Sequence, residues 1–306
     1  LHARAPGDGS PRLDGILPPL VTPFRPDGAL DLVAFEANLE AYAAFDLEGY
    51  LVLGSNGEAP SLGEDEKLSL VAAARRGAGG RLLLVGAGLE STEATASLCR
   101  KVADLGANAV LVLTPHYYRS QMTVEVLRRH YERVADVSPV PVYLYTVPAF
   151  TGVPCPPELP GLLAPHPNVA GIKESSGDLA LMGQILASTP ERFAVACGSA
   201  PVLYPALCLG ASAGILAVAC CAPGPVARLF RAARSGEHEE ARRLQAALLP
   251  LATAVTKKHG VAGLKLALTL SGFRGGEVRP PLCGVGVAAR DELRTTLERA
   301  VAAAGS

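Results

Sequence analysis

The chain has 306 residues, 49% of them apolar and 19% charged, which is enough for one large domain or two of ordinary size. With 28 Lys and Arg against 29 Asp and Glu the formal net charge is -1, leaving no electrostatic footprint for nucleic acid or an anionic membrane. No run of about eighteen apolar residues escapes a charge or a Pro/Gly break, so no membrane span is predicted.

The opening stretch, LHARAPGDGSPRLDG, has no hydrophobic h-region, and residues 1–12 read as a mobile arm. It starts without Met, which fits a transit peptide trimmed before this numbering begins. From residue 13 on, short β-rich runs alternate with longer helical patterns, the signal of βαβ units around a parallel sheet. Eight strands are predicted, at 15–20, 49–53, 82–86, 109–113, 140–145, 169–173, 193–197 and 213–217. Helical patterns at 30–45, 64–76, 92–105 and 124–135 separate several of them. ADLGANAV and CLGASAG share one grammar: a helix ends, Gly caps it, and a small-residue strand begins. No first turn carries G-x-G-x-x-G opening a helix, so the expectation is an α/β chain forming a (β/α)8 TIM barrel over 13–235. From about Gly236 the pattern turns helical, and no linker of disordered composition intervenes. Residues 236–306 are therefore expected to form a C-terminal helical extension packed on the barrel.

Seven cysteines (99, 155, 197, 208, 220, 221 and 283) contain no C-x-x-C pair. An odd count without zinc-type spacing predicts reduced thiols inside a cell. The compartment would be the cytoplasm in a bacterium and the mitochondrial matrix in an animal. Cys220 and Cys221, though adjacent, read as small apolar filler.

In such a barrel, chemistry gathers at the C-terminal ends of the strands. There the sequence offers GSNGEAP after strand two, TPHYYR after strand four, YTVPAFTG after strand five and KESSGD after strand six. Lys173 ends the apolar run VAGIK, and lysine is almost never fully buried unless paired. Either it pairs harmlessly with Glu174 at the strand edge, or the site needs an amine. Only the neutral amine attacks a carbonyl carbon, and burial favours that form. Alternation sends neighbours 173 and 174 to opposite faces, which weighs against the pair. Lys67, Lys101, Lys257 and Lys258 sit in polar helical settings. Lys265, in AGLKLALTL, is expected to snorkel outward from its helix.

Tyr145 is either a core tyrosine or a phenol placed to relay a proton. Ser55 and Asn56 lie in a Gly-bracketed turn whose N–H groups would hold a carboxylate, although a plain strand-to-helix turn uses the same residue types. Spacing alone assigns no role to Tyr117 or Tyr118, and the six histidines show no metal-ligand spacing.

Taken together, GSNGE (54–58), TPHYY (114–118), YTVPAFTG (145–152) and GIKESSGD (171–178) resemble the Schiff-base class I aldolases, the family of dihydrodipicolinate synthase and N-acetylneuraminate lyase. The four stand in family order, and the likeness runs from about residue 13 to the C-terminal helices. The resemblance implies that Lys173 forms the imine with a 2-keto acid such as pyruvate and that Tyr145 relays protons. It implies that Ser55 links Tyr145 to a second tyrosine, matched by Tyr117, lent by a neighbouring subunit. Ser55 and Asn56 would hold the substrate carboxylate. No cofactor is implied, because the protonated imine is itself the electron sink, and a homotetramer built as a dimer of dimers is expected.

One position departs from the pattern. Dihydrodipicolinate synthases place a carboxylate-binding arginine five residues after the catalytic tyrosine, where this chain has Phe150. The Ser-Asn pair of GSNGE also differs from the Ser-Thr usual in sialic acid lyases. Within the family, GSNGE, GLESTEAT, HPNVAGIKESSGD and the tail GVAGLKLALTLSGFRGGEVRPPL are most similar to 4-hydroxy-2-oxoglutarate aldolases. That likeness adds Ser175 to the site and implies cleavage of 4-hydroxy-2-oxoglutarate to pyruvate and glyoxylate. Other readings are a condensation of the 4-hydroxy-tetrahydrodipicolinate synthase type, a lyase acting on sialic acid or a keto-deoxy sugar acid, and a catalytically silent barrel that binds a 2-keto acid. Lys173, Tyr145 and Ser55 together speak against the silent barrel, and the absence of clustered His, Asp and Glu speaks against a metal-dependent class II aldolase.

Overall fold

A computed structural model describes residues 13–305; the arm expected over 1–12 lies outside them. After α1 (Leu32–Tyr42) the chain alternates through β1 (Gly49–Val52), α2 (Glu64–Gly77), β2 (Leu82–Gly86), α3 (Thr92–Asp104), β3 (Ala109–Leu113), α4 (Val124–Val137) and β4 (Val142–Thr146). Two short helices, α5 (Pro148–Thr151) and α6 (Leu159–Leu163), lead into β5 (Val169–Glu174). Then come α7 (Leu179–Ser188), β6 (Ala194–Cys197), α8 (Leu203–Leu209) and β7 (Ala213–Gly214). All seven strands pair in parallel and in chain order, giving the curled sheet of a TIM barrel. Side chains of Ser91, Thr123 and Asp178 cap α3, α4 and α7 by accepting backbone N–H groups of the first turn. Gly106 (φ 89) and Gly210 (φ 118) take the left-handed positions at the helix-to-strand turns.

The predicted first strand is a correction. Residues 15–20 form isolated parallel bridges instead, Ile16 to Gly214 and Pro19 to Leu51. Leu17 N–H donates to Gly214 O (2.9 Å) and Leu20 N–H to Leu51 O (2.8 Å), so the segment still closes the sheet between β7 and β1. Pro18 and Pro19 have no N–H to donate, which breaks the ladder. The last predicted strand, 213–217, shortens to two residues before the chain turns into α9 (Val218–Cys221).

Beyond β7 the chain is helical: α9, α10 (Pro223–Arg234), α11 (His238–Thr253), a π-helical stretch (Ala254–Lys258), α12 (Gly260–Leu270) and α13 (Val287–Gly305). The segment after α12 returns to α1, where Asn38 exchanges two hydrogen bonds with the Arg274 backbone and Phe273 stacks on Tyr42 at 4.5 Å. Among the described residues no helix is long and apolar enough to cross a membrane.

Strand alternation divides the core in two. Tyr50, Val52, Val85, Val110, Leu144 and Ile172 face the helices, whereas Leu51, Leu84, Leu111, Tyr143, Tyr145 and Ala196 fill the barrel interior. Position 173 reaches the interior only through an irregularity. Val169 faces the helices, and unbroken alternation would send 171 and 173 after it. The β4–β5 register slips instead, pairing Val142 with Val169 but Tyr143 with Gly171. The extra residue, Ala170, flips the parity, so Lys173 stands beside the interior residues Tyr145 and Ala196. Gly171 has no room for a side chain: a Cβ there would lie 2.8 Å from the Tyr143 ring.

Candidate active site

Lys173 is 5% exposed, and its Nζ lies over the face of the Tyr145 ring, 4.2 Å from the centroid. Among the described residues no carboxylate comes within ion-pair distance of it. The edge pair with Glu174 does not form. Glu174 points to the opposite face, fully buried, and accepts the N–H groups of Ser176 (2.6 Å) and Gly177 (3.4 Å). Burial pushes its carboxyl above the usual range.

Tyr145, at the end of β4, turns its hydroxyl to Ser55 Oγ at 3.3 Å. Ser55 opens a 3₁₀ turn, Ser55–Gly57, that follows β1. The first N–H groups of any such turn have no partner inside it and can face an anion. Asn56 is half-buried in the same turn, and Thr22 Oγ1 donates to Gly57 O at 2.7 Å, fixing its far end. A cavity of about 340 Å³ opens over Ser55 and Tyr145, bounded also by Gly88, Glu90, His116 and Lys67. That volume suits a small ligand.

Other expected residues stand further off. Tyr117 and Tyr118 are 76% and 66% exposed and stack edge to face with centroids 5.0 Å apart. Phe150 is 66% exposed on α5. The hydroxyl of Ser175 is buried without a hydrogen-bond partner in the structure, facing Gly198, where a Cβ would lie 1.9 Å from Oγ. The structure thus brings Lys173, Tyr145 and Ser55 together and leaves Tyr117 and Phe150 at the surface.

Three supporting groups escaped the sequence reading. Glu90 accepts the N–H groups of His116 (2.9 Å) and Tyr117 (2.8 Å) and lies 2.8 Å from His116 Nδ1, pinning the TPHYY loop. Thr114 places a buried, unpartnered hydroxyl at the end of β3. Lys265, expected to reach outward, is instead 2% exposed, with its Nζ 2.5 Å from Glu58 Oε1. Burial pulls its ammonium below the usual range while Glu58 works the other way. The run AGLKLALTL held that signal, because apolar residues flank Lys265 on every side.

The profile of the dihydrodipicolinate synthetase family matches residues 12–300 of the chain. A 4-hydroxy-tetrahydrodipicolinate synthase of Exiguobacterium is 34% identical over 286 residues, covering 93% of this chain and 97% of that one. An uncharacterized DapA-like lyase of Halobacterium salinarum is 36% identical over 306 residues, covering 99% and 98%. Among solved structures, a monomeric dihydrodipicolinate synthase variant superposes with a TM-score of 0.90 at 32% identity, covering 96% of this chain and 99% of that one.

Proposed function

The chain belongs to the dihydrodipicolinate synthetase family of pyruvate-dependent class I aldolases and lyases, and from that premise we propose that it cleaves 4-hydroxy-2-oxoglutarate to pyruvate and glyoxylate. The family works through a lysine Schiff base without a cofactor, and Lys173 is the amine proposed to form it. Its attack on C2 of the 2-keto acid expels water and leaves an iminium. Tyr145 takes the C4-hydroxyl proton as it passes its own to Ser55, 3.3 Å away. The C3–C4 bond breaks, its electrons enter the iminium, and glyoxylate departs from the enamine. Protonation at C3 and addition of water release pyruvate and restore the lysine. Ser55 and Asn56 hold the C1 carboxylate, and Ser175 borders the same strand end.

Phe150 carries the choice of substrate. It stands exposed on α5 at the position where the family's condensing members carry an arginine, and a phenyl ring offers no bidentate donor to a carboxylate. Exposed Tyr117 supports assembly: as Tyr117 of the partner subunit it would complete the proton path beyond Ser55, in a tight dimer within a tetramer. A second reading, condensation of pyruvate with aspartate semialdehyde, is favoured by the Exiguobacterium relative named as a 4-hydroxy-tetrahydrodipicolinate synthase.

A panel of 2-keto acids assayed for pyruvate release, with the aldehyde co-product identified, decides between them. The expected result is glyoxylate from 4-hydroxy-2-oxoglutarate as the most efficient reaction. Efficient condensation with aspartate semialdehyde would overturn it.

A further inference from the structure

Among the described residues two other than glycine have positive φ, Leu53 (φ 59) and Glu58 (φ 53), and they bracket the turn 54–57. L-residues are strained there, and such strain persists only where surrounding contacts impose it. For Glu58 those contacts come from the far end of the chain. Its carboxylate is buried, with Oε1 2.5 Å from Lys265 Nζ on α12 and Oε2 accepting Arg279 N–H at 2.9 Å. Lys265 also donates to Glu277 O and lies 4.5 Å from the Phe24 ring centroid. Arg279 extends the tie to Ser61 O, Gly28 O and Glu66.

A buried ion pair is a poor device for stability, because apolar residues of similar volume often serve as well. We propose that Glu58 and Lys265 are positioning residues through which the C-terminal extension sets the Ser55–Asn56 turn, and hence the grip on the substrate carboxylate. This rests on the reading of that turn as the carboxylate site. Loss of the pair weakens binding of a 2-keto acid and leaves imine formation at Lys173 intact once the site is saturated.

The test is borohydride trapping on the full chain, with pyruvate as the probe and both the half-saturating concentration and the limiting rate measured. The double variant Glu58→Gly, Lys265→Met removes both charges together and gives position 58 the residue that adopts positive φ freely. Its half-saturating pyruvate should rise about tenfold or more, with a limiting rate within about threefold of the parent (tenfold in an equilibrium being 1.4 kcal/mol). A half-saturating concentration within about twofold of the parent overturns the proposal, as does a fall confined to the limiting rate. Should the double variant fail to fold, Glu58→Gln decides: a rise of about threefold supports the coupling and no rise refutes it. A parent that forms no adduct sinks the site reading and this coupling with it. A labelled parent whose variants bind unchanged sinks the coupling alone.

Discussion

Lys173 and Lys265 are buried to nearly the same degree, 5% and 2% exposed, yet their surroundings differ in kind. Lys265 meets a carboxylate and a carbonyl, and it joins a helix to a distant turn. Lys173 meets the face of a tyrosine and the small neighbour Ala196. Burial alone therefore does not separate the two. The amine proposed to react is the one left without a carboxylate, at a strand end and against a tyrosine ring.

The sharpest way to break this contrast is to remove each lysine and read both activity and stability. Lys173→Ala should lose turnover by about 10⁴-fold or more and form no borohydride adduct. Its thermal midpoint should stay level or rise, since no ion pair is lost. Lys265→Met should behave the opposite way. It leaves Glu58 buried without its partner, at a cost of about 3–5 kcal/mol in urea denaturation, yet saturating pyruvate should still label Lys173. If the two variants melted alike, the division between a structural and a reactive lysine would collapse. Tyr145→Phe probes the same side of the contrast more gently. It keeps the ring against Lys173 but removes the hydroxyl 3.3 Å from Ser55, so the adduct should survive while turnover falls about 10²–10³-fold. Unaltered turnover would deny Tyr145 its relay.

The same contrast explains how far the sequence could be read. Lys173, Tyr145 and Ser55 were legible as candidates from their places beyond apolar runs, while the roles proposed for them rest on the family resemblance of GSNGE, YTVPAFTG and GIKESSGD. The face that Lys173 takes was not legible, because alternation from Val169 points it outward and only the slip at Ala170 corrects this. Lys265 was misread because its partner, Glu58, is distant in sequence, and helical periodicity carries no news of a counter-charge across the fold. The first strand failed for a local reason that was in plain view: Pro18 and Pro19 cannot donate to a ladder. Spacing alone assigned Tyr117 nothing, and a single chain leaves it on the surface; the role proposed for it comes from the family resemblance and requires a second copy. Cys220 and Cys221 were the easier case. Both are buried in the outer core, and burial pushes the Cys221 thiol up to about 12.

His130 extends the contrast to a weaker base and carries the smallest effect. It is 5% exposed on α4, with Nδ1 2.8 Å from Thr92 Oγ1, and among the described residues no carboxylate pairs with it. Burial pulls its pKa down to about 4, while the more distant charge of Glu90 opposes the shift. Between that value and the ordinary 6.5 the unfolded chain binds a proton that the folded chain refuses. Stability should therefore be fully present above pH about 6.5 and fall as pH drops toward about 4, by a total of roughly 3 kcal/mol from this group. His130→Gln removes the titration, so the parent's advantage over the variant should shrink steadily as denaturation is repeated from pH 7 down to pH 4. A difference that stayed constant across that range would mean that His130 accepts its proton inside the fold. Burial without a carboxylate would then be no guide to which basic groups in this barrel stay neutral.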